Sequence, residues 1–224
     1  MSENLSNFDK SCKFFEQNLT DTELYKYLEN GNLAQRQLAC LKIKTLSTPE
    51  QAKILMQNLT GIDGKVREAV SFKLKTFIPQ HSELFEKQEF YDIFLEAIID
   101  INGNICRNII CSLENLPASA NYMSNEIIKR SHKVLNIIDK FDYKDKKYVT
   151  NKELFKVYWY LETLSIFPPA DGLFELLKRT AKIDEYTIRE KTAQLLTKLS
   201  PDEAKSLQGL NFDDNFYVNL ALKR

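Results

Sequence analysis

Apolar residues recur along most of the chain at the three- and four-residue spacing of an α-helix, and short polar interruptions separate these segments. Treating the interruptions as helix ends predicts a short leader helix near residues 7–18. The other segments form six pairs: 21–30 with 32–46, 49–59 with 63–78, 83–100 with 104–116, 120–139 with 151–167, 170–181 with 185–199, and 201–208 with 214–223. The pattern therefore predicts an all-α protein built from helical hairpins.

Capping residues support several of these helix starts. Thr20, Thr48, Thr150 and Ser200 each precede an apolar segment, and each has a Glu or Gln three residues later. This is the spacing of a capping box, in which the two side chains accept hydrogen bonds from backbone N–H groups at the helix start. We therefore expect a helix to begin after each of the four residues.

The second helices of the hairpins share an apolar stripe. Three copies are Val66-Val70-Leu74-Phe77, Ile105-Ile109-Leu113-Leu116 and Ile188-Thr192-Leu196-Leu199. Residues at this spacing lie on one side of a helix, and that side must be buried. Because one hairpin cannot bury the stripes of both its helices, we expect successive hairpins to stack into a solenoid.

The segment from Asp63 to Val70, Asp-Gly-Lys-Val-Arg-Glu-Ala-Val, resembles the opening of the second helix in a HEAT repeat. Ile188-Arg189 and Gln35-Arg36 are weaker copies, and Arg107 is displaced by one residue. The resemblance covers residues 20–224 after a leader at 1–19. It implies one armadillo-like domain over residues 1–224: a right-handed α-solenoid of about five to six HEAT-like hairpins, whose second helices line the concave face.

The acidic and basic residues of this motif have an ordinary structural interpretation. Asp63 is expected to cap its helix by accepting a backbone hydrogen bond. Arg36, Arg67 and Arg189 are expected to reach acidic groups of adjacent repeats. Arg67 and Arg189 are also candidates for contact with a partner.

Composition narrows the classes of function. Basic and acidic residues both number 31, so the chain has no overall field to draw it to nucleic acid or an anionic membrane. No run of apolar residues is long enough to span a membrane, and the first ten residues lack the features of a signal peptide. Cys12, Cys40, Cys106 and Cys111 form no CxxC pair, and we expect reduced, buried thiols. These features together predict a cytoplasmic protein.

The sequence contains no common catalytic or metal-binding motif. It has no G-x-S-x-G, no P-loop, no G-x-G-x-x-G and no H-E-x-x-H. His81 and His132 lie far apart in the sequence, and neither has an obvious catalytic neighbour. We therefore expect a non-enzymatic protein without catalytic residues, a metal site or a cofactor.

The segment from Phe155 to Glu162 is rich in aromatic residues and contains the single tryptophan. Helical spacing places Phe155, Trp159 and Glu162 on one side, and Lys156 and Tyr160 on another. At least one ring should therefore face away from the core, where it would be a good anchor for a partner. The alternative is that the rings fill a wide gap between long helices.

A second resemblance involves the same segment. Trp159-Tyr-Leu161-Glu162 is similar to the Trp-x-Leu-Arg element of DNA-alkylation-repair glycosylases, which are themselves HEAT-like. Glu162 stands where that family has an arginine, and a carboxylate would repel phosphate. No catalytic residue is carried over from this match.

Charge is unevenly distributed along the chain. Residues 129–156 contain nine basic and four acidic residues, and Lys144, Lys146 and Lys147 lie in their most polar part. This part either contacts phosphate or an acidic protein, or forms a solvated loop. Residues 83–100 carry six acids against Lys87. Patches of opposite sign favour a polar protein partner over a polyanion.

These observations favour a protein-interaction module that binds a protein partner on the concave face. The expected contact residues are Arg67, Lys73, Arg107, Lys156, Trp159, Tyr160 and Arg189. Two alternatives remain: a DNA-binding enzyme of the alkylation-repair kind, and a cofactor-attachment or maturation factor similar to the HEAT-like bilin lyases. The last helix has apolar residues on its outer face, which would support a homodimer.

Overall fold

The computed structural model describes residues 7–141, 147–207, 210 and 213–223, except for the side chains of residues 7–10 and 147. Every regular element within these residues is helical, which confirms the predicted all-α class. The chain divides into two compact units, residues 1–116 and residues 117–224. None of the described helices is both long and apolar enough to cross a membrane.

The first unit consists of a leader helix and three helical hairpins. Its α-helices are α1 (Asn7–Glu16), α2 (Asp21–Asn30), α3 (Leu33–Lys42), α4 (Pro49–Leu59), α5 (Gly64–Phe77), α6 (Gln88–Ala97) and α7 (Gly103–Leu113). Two 3-10 turns, Ile78–Gln80 and Ser82–Leu84, lie between α5 and α6.

Neighbouring hairpins of the first unit contact each other through corresponding helices. The first helices contact in the order α2, α4, α6, and the second helices contact in the order α3, α5, α7, while α1 contacts α3. This arrangement buries the predicted stripes of α5 and α7. The stripe residues, none of them more than 4% exposed, are Val66, Val70, Leu74 and Phe77, and Ile105, Ile109, Leu113 and Leu116. Each such side chain contributes about 1.5–3 kcal/mol of hydrophobic stabilisation.

The second unit shows the same succession of contacts between its second helices. Its α-helices are α8 (Ala120–Ile138), α9 (Lys147–Ile166), α10 (Leu173–Thr180), α11 (Tyr186–Leu195), α12 (Pro201–Ser206) and α13 (Phe216–Leu222). Short 3-10 turns occupy Pro117–Ser119 and Leu196–Lys198. α8 contacts α9 and α10, α10 contacts α11, and the second helices contact in the order α9, α11, α13.

Three of the four predicted capping boxes are present. Thr20, Thr48 and Ser200 each accept a hydrogen bond from the backbone three residues later, and the Glu or Gln there bonds back. The prediction for Thr150 is wrong, because α9 begins earlier, at Lys147, and Thr150 lies within the helix. Asn32 and Gln35 form a further capping box, at the start of α3, that was not predicted.

The second helix of the first hairpin is shorter than predicted. α3 ends at Lys42, and the next residue, Ile43, has non-helical backbone angles of φ −54° and ψ 129°. Asp21 accepts hydrogen bonds from the backbone N–H of Lys44 and Thr45, at 3.2 and 2.8 Å. The apolar pattern nevertheless continued to residue 46, since Ile43 and Leu46 remain buried outside the helix.

Two other predicted helices are also partly 3-10 or turn. The helix expected over 83–100 begins only at Gln88, and the preceding residues form a turn that buries Phe85 completely. The helix expected over 185–199 changes to 3-10 at Leu196. This change rotates the end of the third stripe, so Ile188 and Thr192 are buried while Leu196 is half-buried.

Candidate functional site

A groove crosses the exposed faces of the second helices in the first unit. We call it the second-helix groove. It encloses about 550 Å³ and is lined by Gln37 and Leu41 of α3, by Lys65, Glu68, Ala69, Phe72 and Lys75 of α5, and by Asn104, Arg107 and Asn108 of α7. Each of the three helices buries one side in the unit and turns the opposite side into the groove.

The α5 helix supplies the centre of the groove. Asp63 caps this helix, accepting hydrogen bonds from the backbone N–H of Lys65 at 3.0 Å and of Val66 at 2.9 Å. The cap fixes where the helix begins and therefore which residues face the groove. Lys65, Glu68, Phe72 and Lys75 follow one another at intervals of three or four positions, so they form one stripe on the side of α5 away from its buried one.

The floor of the groove is apolar. Phe72 is 55% exposed and Leu41 is 44% exposed, and both side chains face the same cavity. Ala69, which is buried, lies on the same face of α5 one turn before Phe72. An aromatic ring and an aliphatic side chain that share one exposed cavity form a surface that another molecule can cover.

A row of hydrogen bonds joins α5 to α7 along the groove. Asn104 Nδ2 donates to Glu68 Oε1 at 2.9 Å, and Arg107 Nη1 donates to Asn104 Oδ1 at 3.3 Å. Asn108 Nδ2 donates to the hydroxyl of Ser71 at 3.1 Å. These contacts hold the polar wall in one arrangement, so it is partly preorganised for binding.

Arg67, a predicted contact residue, is held within the protein. Its Nε donates to Asp100 Oδ2 at 2.6 Å and its Nη2 to Asp100 Oδ1 at 3.2 Å, with both side chains largely buried. Its Nη1 donates to the carbonyl oxygens of Gly61 and Ile62 at 2.8 and 3.0 Å. The guanidinium thus joins the turn of its own hairpin to the turn of the next one.

Arg189 makes the same set of contacts in the second unit. Its Nε and Nη2 donate to the two carboxylate oxygens of Asp213, and its Nη1 donates to the carbonyls of Ile183 and Asp184. The guanidinium lowers the pKa of the Asp213 carboxyl by hydrogen bonding. These contacts confirm the prediction that Arg67 and Arg189 reach acidic groups of the next hairpin.

Asp100 and Asp213, which accept from the two arginines, each accept a further hydrogen bond from the backbone. Asp100 accepts the backbone N–H of Asn102 at 2.8 Å, and Asp213 accepts that of Asn215 at 2.9 Å. Both asparagines cap the following helix. We call this arrangement of arginine, two turn carbonyls and a carboxylate the arginine bracket.

The prediction that Arg36 reaches an acidic group is wrong, because its partners in the structure are uncharged. Arg36 Nε donates to the Leu28 carbonyl at 3.1 Å and to Asn58 Oδ1 at 3.1 Å, so an amide stands where an acid was expected. Asn58 is itself buried and donates to the Ile54 carbonyl at 2.8 Å. The geometry resembles the bracket, but its acceptor carries no charge.

Two predicted lysines also contact their own unit. Lys73 Nζ donates to the Ile43 carbonyl at 2.5 Å, which ties α5 to the end of α3. Lys156 Nζ lies 2.9 Å from both carboxylate oxygens of Glu153, which is buried. Both lysines are half-buried.

The predicted aromatic anchors are buried. Trp159 is 5% exposed and Tyr160 is 2% exposed, while Phe155 and Tyr158, which are half-buried, meet Trp159 edge to face. The alternative interpretation, in which these rings fill space between long helices, therefore describes both residues. Glu162, the departure from the glycosylase element, lies 2.5 Å from Lys191 Nζ.

The predicted residues are thus not gathered in one place. Of the seven, Arg107 lines the second-helix groove, while Arg67 and Lys73 lie on α5 but are directed to neighbouring segments. The others lie in the second unit. Sequence reasoning missed Phe72 and Leu41, although a signal existed: both are large apolar residues that fall outside the buried stripe of their helix.

The lysines of the basic stretch and the four cysteines were also singled out from the sequence. Lys144 and Lys146 lie outside the described residues, and the Lys147 side chain is not described. All four cysteines are free, but Cys12 and Cys111 are exposed, so the prediction of burial is wrong for these two. Burial raises the pKa of both Cys40 and Cys106 to about 12.

The described residues contain no cluster of three or more His, Cys, Asp or Glu side chains that could hold a metal ion. His132 lies 3.1 Å from Arg179, measured between Nδ1 and Nη1. Burial, together with this cation, lowers the pKa of His132. Comparison with known proteins adds no assignment, because no protein-family model matches the chain and no curated protein matches it significantly.

Proposed function

We propose that this chain is a non-enzymatic protein-interaction module whose partner binds in the second-helix groove. The observation that carries the proposal is the pair of exposed apolar side chains, Phe72 and Leu41, beside a polar wall held by hydrogen bonds. Apolar surface bordered by fixed polar groups is typical of protein-binding sites. The groove also contains Arg107, one of the residues expected to contact a partner.

We further propose that the hairpins of each unit are HEAT-like repeats of a right-handed, armadillo-like α-solenoid, and that residues 1–224 form one repeat domain. Within each unit, the second helices contact one another in chain order, as stacked repeats require. The arginine bracket recurs with Arg67 and Arg189, which supports a common repeat. In such a stack the second helices line the concave face, and the groove belongs to that face.

A cytoplasmic location is part of the same proposal. Its support is chemical: Cys40 and Cys106 are free and buried, and Cys12 and Cys111 are free and exposed. Exposed thiols persist unpaired in a reducing compartment.

Self-association is a second candidate function, and the α13 helix favours it. Phe216 is 70% exposed, Tyr217 is 54% exposed and Leu220 is 40% exposed. Tyr217 stacks on Tyr186 of α11 with 6.1 Å between ring centroids, so the surface is partly ordered. An isologous contact between two copies of this surface would form a dimer.

No described contact favours the DNA-repair or cofactor-attachment alternatives. The Trp159 ring is buried, and the Glu162 carboxylate pairs with Lys191. Of the described residues in the basic stretch, Lys129 and Arg130 both lie near Glu126, at 3.0 and 3.9 Å. These pairs reduce the positive charge available to phosphate.

The proposal predicts that Phe72→Ala removes a specific partner. Tagged protein is used for affinity purification from its native lysate after nuclease treatment, and the captured proteins of wild type and variant are compared by mass spectrometry. We expect at least one protein to be lost, because truncation of a buried interface aromatic costs about 2 kcal/mol or more.

Phe15→Ala is the matched control, since Phe15 is 58% exposed and lies on α1, away from the groove lining. It should retain every captured protein. Capture that is the same for wild type and Phe72→Ala would show that the groove is not the binding surface.

A further inference from the structure

We infer that the second-helix groove binds an acidic peptide segment that carries one large apolar side chain between its acids. The inference rests on the proposed function, because it names the chemistry of the partner for the same groove. Its basis is the charge of the groove wall, the apolar floor and the spacing of the cations along α5.

The charge of the groove favours an acidic ligand. Lys65, Lys75 and Arg107 are exposed in it, and Glu68 is the one acid among its described lining residues. The Glu68 carboxylate already accepts a hydrogen bond from Asn104. Three cations against one carboxylate leave an excess of positive charge in the groove lining. A ligand with two or more carboxylates would offset this excess, whereas a basic segment would be repelled.

The spacing of the lysines sets the spacing of the acids. Lys65 and Lys75 lie on the groove side of α5, ten residues apart, near its two ends. With a rise of about 1.5 Å per residue, their backbone positions are about 15 Å apart. An extended segment advances about 3.3 Å per residue, so acids that pair with both lysines stand about four or five residues apart.

The apolar floor of the groove determines which side chain the peptide carries between its two acids. Phe72 lies about one turn before Lys75, and its exposed ring faces the same cavity as Leu41. A leucine, methionine or aromatic side chain of the ligand would cover both of them and remove apolar area from water. This side chain should stand nearer the acid that pairs with Lys75 than the acid that pairs with Lys65.

The same observations weigh against nucleic acid as the occupant. A phosphate backbone in the groove would pass the Glu68 carboxylate, which Asn104 holds in the wall at 2.9 Å. Leu41 offers no face on which a base could stack, although Phe72 does. A peptide can place its carboxylates at the two lysines and leave Glu68 uncontacted, because its charges are not at every backbone position.

A peptide-display selection tests the inference with the full chain. A random library of peptides of about twelve residues, long enough to span the groove, is selected on the immobilised protein and sequenced. We expect enriched peptides to share two acids about four or five residues apart with a large apolar residue between them. Enrichment of neutral or basic peptides, or no enrichment, would overturn the inference.

The strongest enriched peptide is then labelled and its affinity measured by fluorescence anisotropy. Phe72→Ala and Lys75→Glu should each weaken binding by about tenfold or more. Phe15→Ala and Lys53→Glu are the controls, because Phe15 and Lys53 are exposed on α1 and α4 outside the groove lining. Circular dichroism confirms that each variant is folded. Equal affinities for groove variants and controls would contradict the assignment.

A labelled oligothymidylate serves as the nucleic-acid probe in the same assay. Salt-dependent binding that Lys75→Glu abolishes, without selection of acidic peptides, would replace the peptide by nucleic acid. Failure of the two proposals can be distinguished. If Phe72→Ala loses a captured protein but the selected peptides are not acidic, only the inferred ligand chemistry is wrong. If Phe72→Ala loses no captured protein, the proposed function itself is wrong.

Discussion

Arg67 and Arg189 occupy the same position in two hairpins, and each guanidinium donates four hydrogen bonds to the same kinds of acceptor. Each guanidinium donates to two carbonyls of its own hairpin turn and to one carboxylate at the turn of the following hairpin. A guanidinium has five donors in one plane, so a single side chain can satisfy several acceptors at a turn. A lysine at either position would lose this geometry while keeping the charge.

Replacing Arg67 should destabilise the first unit. Arg67→Met leaves the largely buried Asp100 carboxylate without its cation, and loss of one partner of such a pair costs about 3 kcal/mol. The free energy of unfolding is measured by urea denaturation, followed by circular dichroism.

Arg107→Met is the control, because Arg107 is exposed and surface substitutions change stability by about 0.5 kcal/mol or less. Similar midpoints for the two variants would mean that the bracket contributes little to stability.

The Arg189 bracket predicts a specific pH dependence. The pKa of Asp213 is lowered from 3.8 in the folded protein, chiefly by the hydrogen bond from Arg189. A carboxyl whose pKa is lowered by folding stabilises the fold above its unfolded value, and this stabilisation is lost as the pH falls through the folded pKa. Arg189→Met removes the hydrogen bond that lowers the pKa of Asp213.

The difference in unfolding free energy between wild type and Arg189→Met should therefore be largest above about pH 5 and should shrink as the pH falls below 3.8. Urea denaturation at a series of pH values measures this difference in unfolding free energy. Both proteins contain the same carboxyl groups, so the effects of the other carboxyl groups cancel in the difference. A difference that stays constant down to about pH 3 would contradict the role assigned to the Asp213 carboxylate.

At the scale of the element, periodicity predicted which residues are buried better than where helices end. Ile43 and Leu46 fall within the helix predicted over 32–46 and are buried, but they follow the end of α3, because Asp21 binds the backbone N–H groups beyond that end. Such a contact comes from a residue more than 20 positions earlier, so a local pattern cannot reveal it. The earlier start of α9 at Lys147 shows the same limit, since a good capping sequence after Thr150 did not start the helix.

The candidate site was less predictable than the fold. The density of aromatic residues around Trp159 and Tyr160 predicts an exposed ring there, but the second unit buries both rings. Phe72 lies between Ser71 and Lys73 in the sequence, and its exposure depends on how α3 and α7 lie beside α5. Hairpin packing, which no single helix pattern contains, decided which aromatic side chain remained accessible.

At the scale of the whole molecule, each unit exposes an apolar surface of its own. The first unit exposes Phe72 and Leu41 in the groove, and the second exposes Phe216, Tyr217 and Leu220 on α13. The two surfaces differ in charge and form. The groove has cations around its floor, whereas the α13 surface consists of neighbouring aromatic rings, with Phe216 and Tyr217 in edge-to-face contact.

The α13 surface predicts a homodimer that Phe216→Ser dissociates. Truncating a ring that is 70% exposed in one chain would remove apolar area from both halves of an isologous contact. Light scattering coupled to size-exclusion chromatography gives the molar mass of wild type and variant across a range of concentrations. Phe15→Ser is the control, because Phe15 is also an exposed phenylalanine, at 58%, but lies on α1; this change should leave the mass unchanged. A wild-type protein that stays monomeric at the highest concentration would refute self-association.

The arginine bracket has a direction along the chain. Arg67 precedes Asp100 by 33 residues, and Arg189 precedes Asp213 by 24 residues. A ribosome makes a protein from its N-terminus, so in each case the guanidinium is synthesised before the carboxylate that binds it. Until the turn of the following hairpin has also left the ribosome, each of these hairpins therefore lacks the carboxylate that completes its bracket. The bracket of each hairpin can close only after the turn of the hairpin that follows has been synthesised.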